Sequence, residues 1–284
     1  MLNRLGVYLA FVRFSHSMFA LPFALAGALL ASRVVPITWP VVGWILLAMV
    51  AARSAAMGFN RLVDARMDAL NPRTAARELP RGAMSIGEAT GFVVLASAVF
   101  VYASWRLNTI CFVLSPVALA IVFWYSLAKR YTTWTQLYLG LAMAVAPVGG
   151  WLAVGGRGGW EPWLLATAIG LWVGGFDVLY ACQDVEFDRA HNLHSIPARF
   201  GVARALRVSR AMHVAAVACL VALAAVTPLP WFYLLGVGVV ALLLAYEQSL
   251  VSAADLSQVK RAFDLNGYVG VLYLIVLAVS IYAR

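Results

Sequence analysis

The sequence is built from long apolar blocks separated by short polar connectors. A run of roughly 20 apolar residues is long enough to cross the hydrocarbon core of a bilayer as an α-helix. Repeated blocks of this length predict an all-α fold, a polytopic membrane bundle of about nine transmembrane helices. We place these helices at approximately residues 14–32, 41–63, 88–106, 109–128, 134–154, 162–183, 207–226, 230–248 and 266–282.

The charge content favours a membrane protein over a soluble one. Hydrophobic residues make up 63% of the 284 residues and charged residues only 12%, whereas soluble domains carry about 25% charged residues. The net charge of +9 would suit a nucleic-acid ligand in a soluble protein. Here it is better explained by cationic loops on the cytoplasmic side of a membrane. We therefore expect the lipid bilayer as a partner and no nucleic acid.

The distribution of cations predicts how the chain is oriented in the membrane. If the N-terminus is cytoplasmic, sixteen of the 21 Lys and Arg residues fall on the cytoplasmic side and four on the opposite side, with Arg53 inside the second predicted helix. This bias satisfies the positive-inside rule. It predicts a multi-pass protein whose N-terminus is cytoplasmic and whose C-terminus lies on the opposite side.

Acidic residues concentrate in two of the predicted cytoplasmic loops. The chain, residues 1–284, is predicted as a single transmembrane domain, because no connector resembles an interdomain linker. The positive-inside rule explains cations in cytoplasmic loops, but it does not explain acids there. The loops at about 64–88 and 184–206 are therefore the candidate functional segments.

The first acidic motif is NRLVDARMDALNPRTAAR at 60–77, in which Asn60, Asp64 and Asp68 recur every four residues. Each four-residue step turns a helix by about 40°, so the three side chains share one face if the second helix continues through residue 68. Arg53 lies about 20° from that line. The motif fits either a solvated helix end with ion pairs or a Mg²⁺ site that also receives phosphate oxygens. Spacing alone does not distinguish the two.

A second acidic motif follows a later apolar block, in FDVLYACQDVEFDRAHNLHSIPARFG at 176–201. Tyr180, Asp184 and Asp188 repeat the four-residue spacing, and Asp177 precedes Asp184 by seven residues. If the two motifs face one another, their carboxylates repel unless cations separate them. Two Mg²⁺ ions, or a metal-bridged diphosphate, would remove that repulsion. Nearby arginines would then bind further phosphate oxygens.

Together these motifs resemble the UbiA-type intramembrane aromatic prenyltransferases. The likeness rests on N-x3-D-x3-D followed by R-T-x2-R, on D-x3-D after a later helix, and on VRFSHSMFALPFALAG near the N-terminus. It covers nearly the whole chain and is nearest to the 4-hydroxybenzoate polyprenyltransferase-like branch. Within that branch the chain resembles members of menaquinone synthesis through the futalosine route. Two departures leave the acceptor open: Arg61 stands where many relatives have Asp, and RELPRG replaces R-P-L-P-S-G.

The resemblance implies Mg²⁺-dependent transfer of a polyprenyl group from polyprenyl diphosphate to an aromatic acid acceptor. The acceptor would be of the 4-hydroxybenzoate or dihydroxynaphthoate type, as in ubiquinone or menaquinone biosynthesis. The protein would lie in the bacterial inner membrane, with its active site facing the cytoplasm. The implied metal ligands are Asn60, Asp64, Asp68, Asp184 and Asp188. The diphosphate-binding candidates are Asn60, Arg53, Arg77 and Lys129. The catalytic candidates are Asp64, Asp68, Asp184, Asp188, Tyr180 and Asp177.

Some of these assignments have alternatives. Asp177 and Tyr180 either orient the acceptor and assist proton removal or only join helices through hydrogen bonds. A transferase of the same family could use a haem or chlorophyll precursor as its acceptor. From a different class of protein, a secondary transporter would also place Arg53 and Asp177 within the membrane. A transporter does not, however, require two matching acidic helix ends on one side.

Overall fold

The computed structural model describes residues 2–12 and 20–283 of the chain. Every regular element in these two ranges is helical, and neither range contains a β-strand. The helices are α1 (Leu2–Phe11), α2 (Leu21–Ala31), α3 (Trp39–Leu70), α4 (Ile86–Leu107), α5 (Thr109–Ala128), α6 (Thr135–Val154), α7 (Glu161–Ala181), α8 (Val185–Ala190), α9 (Ile196–Phe200), α10 (Val202–Val226), α11 (Trp231–Ser249) and α12 (Val259–Tyr282), with a 3₁₀ turn at Cys182–Asp184 between α7 and α8. The prediction of an all-α fold is confirmed.

Eight helices among the described residues are long and apolar enough to cross a membrane. They are α3, α4, α5, α6, α10, α11, α12 and the segment Glu161–Ala190, which contains α7 and α8. Residues 14–19 of the first predicted helix lie outside the described residues, and its described part holds α2, an apolar helix of 11 residues. The predicted membrane bundle is confirmed, whereas the count of nine helices and the orientation of the N-terminus stay predictions.

The longest helix, α3, continues past the predicted end at residue 63 and reaches Leu70. Its 32 residues extend about 48 Å at 1.5 Å per residue, whereas the hydrocarbon core of a bilayer is about 30 Å thick. The backbone amide of Asn71 ends the helix by donating to the carbonyl of Met67 at 3.2 Å. The helix is therefore longer than a membrane crossing requires, and the excess carries the first acidic motif.

The chain divides into two compact units. The first comprises Met1–Leu21 and Thr38–Leu127, and the second comprises Pro22–Ile37 and Ala128–Arg284. Helices α1, α3, α4 and nearly all of α5 belong to the first unit, and the remaining helices belong to the second. The prediction of a single transmembrane domain stays a prediction.

In the first unit, α3 and α4 pack along one another and α1 packs on the pair. Gly58 allows the close approach, because a Cβ there would lie 2.7 Å from Cγ2 of Val93 on α4. Phe11 of α1 packs edge-on against Phe92, with ring centroids 5.9 Å apart. These contacts hold the N-terminal part of the chain against the helix that carries the first motif.

In the second unit, α7 packs closely against both α6 and α10. Gly140 of α6 leaves room for the carbonyl of Gly170 on α7, and Gly150 of α6 leaves room for the carbonyl of Ala24 on α2. Within a bilayer, where apolar surface gains little from leaving lipid, small residues of this kind drive helix association by letting backbones approach. Glycine positions therefore determine how α2, α6 and α7 pack.

Buried hydrogen bonds also fix α7 against its neighbours. Trp172 Nε1 donates to Asn266 Oδ1 of α12 at 2.6 Å. Ser209 Oγ of α10 donates to the carbonyl of Gly175 at 2.7 Å, and Gln248 Nε2 of α11 donates to Ser209 Oγ at 2.7 Å. Such bonds contribute about 0.6 kcal/mol each on average within membranes. Helices α10 and α12 thus bond directly to α7, and α11 supports α10 through Ser209.

Replacing Gly150 with Ala is expected to lower thermal stability, because the added methyl group overlaps the backbone carbonyl of Ala24. Overpacking of this kind costs about 1–3 kcal/mol, which offsets the gain of about 1 kcal/mol from replacing a helical Gly by Ala. Gly149 provides the matched control, since a Cβ there meets nothing within 4 Å. Thermal unfolding in detergent compares the two variants, and equal midpoints for Gly149→Ala and Gly150→Ala would contradict the packing described.

Candidate active site

The first acidic motif lies on regular helical backbone at the C-terminal end of α3. Asp64 is 3% exposed and Asp68 is 6% exposed. Asn60 Nδ2 donates to Asp64 Oδ2 at 3.3 Å. The predicted continuation of the helix through residue 68 is correct, and it brings Asn60 and Asp64 into contact.

Arg77 folds back from the following loop onto the carboxylate of Asp68. Its Nη1 donates to both oxygens of Asp68, at 2.7 Å to Oδ1 and 2.8 Å to Oδ2. Thr74 Oγ1 donates to the backbone carbonyl of Asp68 at 3.0 Å. The R-T-x2-R sequence therefore closes the end of α3, and Arg77 neutralises Asp68.

Two further arginines lie on α3 itself. Arg53 is partly buried, two turns before Asn60. Arg61, which the sequence did not predict as a site residue, is only 4% exposed. A guanidinium buried in a membrane helix requires compensating acceptors, so its burial one turn before Asp64 adds Arg61 to the candidate site. The only indication in the sequence was the position of Arg61 directly after Asn60, within the first acidic motif.

The second acidic motif does not lie on one continuous α-helix. α7 ends at Ala181, Cys182–Asp184 forms a 3₁₀ turn, and α8 begins at Val185. A 3₁₀ turn has three residues per turn rather than 3.6, so this short turn rotates Asp184 and Asp188 by no more than about 60° from where a continuous α-helix would place them. The four-residue spacing of the second motif is thus interrupted by the turn, and the roles of its residues stay predictions.

Carboxylates nevertheless gather at this end of α7. Asp184, Asp188 and Lys129 all act electrostatically on Asp177, with Lys129 the cation among them. Asp177, Asp184 and Asp188 are each partly buried, as is Lys129. The structure thus brings together three of the predicted carboxylates and one predicted diphosphate-binding cation.

Ser195 fixes the position of Asp188. Its Oγ donates to Asp188 Oδ2 at 2.8 Å and accepts from the backbone amide of Ala198 at 3.3 Å, which caps α9. The backbone amide of Leu193 donates to the carbonyl of Asp188 at 2.8 Å. The sequence analysis missed Ser195, although Ser followed by Ile-Pro is a typical helix start.

The loop that contains Ser195 is joined to the residues around Lys129. The amide of His194 donates to the carbonyl of Lys129 at 2.7 Å, and the amide of Ile196 donates to Gln136 Oε1 at 3.2 Å. Gln136 is buried at the start of α6. These bonds hold the backbone of Lys129 beside the loop that fixes Asp188.

The ring of Tyr180 packs against α12. Its centroid lies 4.7 Å from that of Phe263, and Phe176 meets the same ring edge-on at 5.5 Å. Aromatic pairs in this range add about 0.5–1.5 kcal/mol beyond the burial of their surface. Phe263 therefore holds the face of α7 that carries Tyr180 against α12. No local sequence pattern predicted this contact.

The oxygen donors of both motifs suit a hard divalent cation. Within residues 2–12 and 20–283, no group of three or more His, Cys, Asp or Glu side chains is arranged to hold a metal ion. Mg²⁺ usually binds one or two protein carboxylates and completes its shell with phosphate oxygens and water. The carboxylates and amide at the end of α3, and the carboxylates after α7, fit that requirement.

A family model identifies the chain as a whole. The model of the UbiA prenyltransferase family matches residues 20–275. The chain belongs to the UbiA prenyltransferase family. The match includes both acidic motifs, and it confirms the family that the motifs predicted.

Individual members of this family resemble the chain over most of its length. It is 34% identical over 229 residues to a 4-hydroxybenzoate octaprenyltransferase of Enterobacter sp. (strain 638), which covers 80% of this chain and 78% of that one. The apo structure of a UbiA homolog from Aeropyrum pernix K1 has a TM-score of 0.85 and 37% identity, covering 93% of this chain and 98% of that one. A UbiA homolog from Archaeoglobus fulgidus, solved with GPP and Mg²⁺, shares the fold, with a TM-score of 0.71 and 19% identity over 96% of this chain and 99% of that one.

These comparisons confirm the predictions of a multi-pass helical membrane protein and of a prenyltransferase. The similarity to members of the menaquinone route and the roles of the individual site residues stay predictions. The fold neighbours include UbiA homologs solved with Mg²⁺ and with Cd²⁺.

Replacing Arg77 with Met removes the cation that neutralises Asp68, a nearly buried carboxylate. Breaking such a pair costs about 3–5 kcal/mol, so we expect a large drop in thermal stability together with a fall in transfer rate of at least about tenfold, or about 1.4 kcal/mol in activation free energy. Thermal unfolding and the rate per folded protein measure the two effects separately.

Two further variants make this test specific. Arg81→Met is the matched control, because Arg81 is exposed and lies four residues along the same loop; it should change stability and rate little. In Asp68→Asn/Arg77→Met the unpaired charge is absent, so stability should recover while activity does not. A double variant as unstable as Arg77→Met would argue against the ion pair as the cause.

Proposed function

We propose that this chain transfers a polyprenyl group from a polyprenyl diphosphate to an aromatic carboxylic acid of the 4-hydroxybenzoate type, as in ubiquinone biosynthesis. One observation carries this proposal. The chain has two helix ends that bear carboxylates, and it is 34% identical to a 4-hydroxybenzoate octaprenyltransferase. One helix end is stabilised by Arg77 and the other by Ser195. Neither arrangement is needed for a helix bundle that only spans a membrane.

Both acidic motifs have the oxygen ligands that a metal–diphosphate group requires. Asn60, Asp64 and Asp68 would supply oxygen ligands from α3, and Asp184 and Asp188 would supply them from the segment after α7. The A. fulgidus homolog of the same fold was solved with GPP and Mg²⁺, which supports this choice of ligand. Mg²⁺, when bound, neutralises the diphosphate and favours its departure as charge develops on the bridging oxygen.

Cations near both motifs would bind the remaining phosphate oxygens. Lys129 is held beside Asp188 through the His194 loop, and Arg77 already reaches the carboxylate of Asp68. Arg53 and Arg61 lie on α3 within two turns of Asn60. Guanidinium groups suit this role, because their planar donors pair with two phosphate oxygens at once.

The reaction exchanges one bond for another at the first carbon of the prenyl chain. The bond from this carbon to the diphosphate oxygen breaks, and its electron pair leaves with the diphosphate. The same carbon forms a bond to an electron-rich carbon of the acceptor ring, which then loses its proton. Asp177 and Tyr180, on the partly buried side of α7, are the candidates that orient the acceptor and assist loss of the proton.

The membrane location explains how this chemistry is protected. A polyprenyl tail is soluble in the bilayer, whereas the diphosphate needs the polar helix ends. The excess length of α3 supplies such an end directly beside hydrocarbon. An allylic cation reacts with water, so a site that excludes water directs it to the acceptor. The bias of the cations towards one set of loops favours an active site that faces the cytoplasm of a bacterial inner membrane.

Asp64→Asn and Asp184→Asn are each expected to reduce transfer at least about 100-fold, or about 2.7 kcal/mol in activation free energy, because each removes a charge that the metal–diphosphate group requires. Glu186→Gln is the matched control, since Glu186 is exposed two residues from Asp184 and should keep most of its activity. Retained activity in both Asp variants, measured on folded protein in detergent, would contradict the assignment.

The proposed activity is tested directly with purified protein, geranyl diphosphate and a choice of acceptors. Mass spectrometry should detect prenylated 4-hydroxybenzoate in the presence of Mg²⁺, lose the product with EDTA, and recover it when Mg²⁺ is restored. Parallel reactions with a dihydroxynaphthoate and a porphyrin precursor compare the other acceptors. Product formation that is unaffected by EDTA would argue against the metal, and exclusive use of another acceptor would argue against the 4-hydroxybenzoate type.

A further inference from the structure

One face of α10 is exposed along the length of the helix. Its residues recur every three or four positions: Arg204, Arg207, Arg210, Val214, Ala218, Val221 and Ala225. This spacing follows a single helix face. The buried face contains Ala205, Ser209 and Met212, among others. The exposed face therefore forms one continuous surface that changes from cationic to apolar along the helix.

The three arginines on this face, which we call the cationic stripe (Arg204, Arg207 and Arg210), have no acidic partner in the described part of the chain. They are exposed and form no hydrogen bond or ion pair with another described residue. Their own helix contains no Asp or Glu. They spread over about 120° of its surface and about 9 Å of its axis. Three positive charges arranged in this way attract an anionic ligand.

The apolar part of the face lies directly in line with the cationic stripe. Val214 and Val221 follow Arg207 by seven and fourteen residues, so they lie about 20° and 40° from it around the helix. Val214 is 71% exposed, and α10 is one of the candidate membrane spans. Arg210 is only about 6 Å along the axis from Val214. Cations thus give way to a lipid-facing surface within about one helical turn.

Aromatic side chains next to α10 indicate the depth of the cationic stripe. Phe200 ends α9, and Gly201 alone separates it from the start of α10. Its ring lies 6.1 Å from that of Trp134, and both side chains are exposed. Tryptophan is enriched where hydrocarbon meets lipid headgroups. This pair therefore places the first turns of α10 at the level of the headgroups.

We propose that the cationic stripe binds the headgroups of anionic phospholipids, with the acyl chains lying along Val214 and Val221. Arginine pairs well with phosphate oxygens, and juxtamembrane clusters of cations bind acidic lipids. A soluble phosphate ligand would not account for the apolar surface that continues the stripe. A second copy of the chain on this face would, in a two-fold dimer, bring like charges together.

The experiment compares lipid binding by the wild-type protein with lipid binding by a variant whose cationic stripe is neutralised. Purified protein in detergent is mixed with equal amounts of phosphatidylglycerol and phosphatidylcholine of the same acyl chains, and native mass spectrometry counts the lipids that remain bound. The wild-type chain should retain at least about fivefold more phosphatidylglycerol than phosphatidylcholine, a ratio expected from charge pairing. In Arg204→Gln/Arg207→Gln/Arg210→Gln this preference should fall to near one.

The control removes the same charge elsewhere, in Arg33→Gln/Arg106→Gln/Arg157→Gln, and should keep the wild-type preference. Equal binding of the two lipids by the wild-type chain overturns the proposal, even if the stripe variant cannot be purified. So does an unchanged preference in the stripe variant, or an equal loss in the control. A stripe variant that changes only from dimer to monomer, with its lipid preference intact, assigns this face to a second copy instead. No substrate is present, so the outcome is independent of the proposed transferase activity.

Discussion

The structure depends on placing carboxylates at helix ends that lie next to hydrocarbon. A carboxylate without a partner is costly there, and the two motifs meet this requirement in different ways. At the end of α3, the carboxylate of Asp68 forms an ion pair with Arg77, and Thr74 Oγ1 donates a hydrogen bond to the backbone carbonyl of Asp68. After α7, Asp188 accepts a hydrogen bond from the hydroxyl of Ser195, a neutral group that contributes no positive charge of its own.

This difference has an electrostatic consequence. The first motif shares its unit with three arginines on or beside α3, Arg53, Arg61 and Arg77. The second collects Asp177, Asp184 and Asp188 around Lys129. Clustered carboxylates attract a divalent cation, and clustered guanidinium groups attract an anion such as a diphosphate. The charges of the two motifs are therefore those that the two parts of the proposed metal–diphosphate ligand require.

The sequence predicted those features that follow from local pattern. Apolar length predicted the membrane helices, and the four-residue spacing of Asn60, Asp64 and Asp68 predicted a shared face because α3 is regular there. After α7 the same spacing did not reveal the 3₁₀ turn at Cys182–Asp184, which interrupts the α-helix within the second motif. Ser195, Gln136 and Phe263 were missed for another reason. Ser195 bonds to a residue 7 positions away, within the same segment. Gln136 and Phe263 contact residues 60 and 83 positions away, on other helices, so only the folded structure brings these pairs together.

The two faces of helix α10 have different roles. On its buried side Ser209 bonds to the carbonyl of Gly175, and His213 lies 3.2 Å from the carbonyl of Trp172, so α10 fixes the helix that leads to the second motif. On its exposed side, two residues before Ser209, lies Arg207. Because adjacent residues are about 100° apart around a helix, a one-residue insertion between Arg207 and Ser209 would rotate the arginines by about 100° relative to the residues that hold α7. The exposure of the arginines therefore depends on an uninterrupted helix from Arg204 to Ser209.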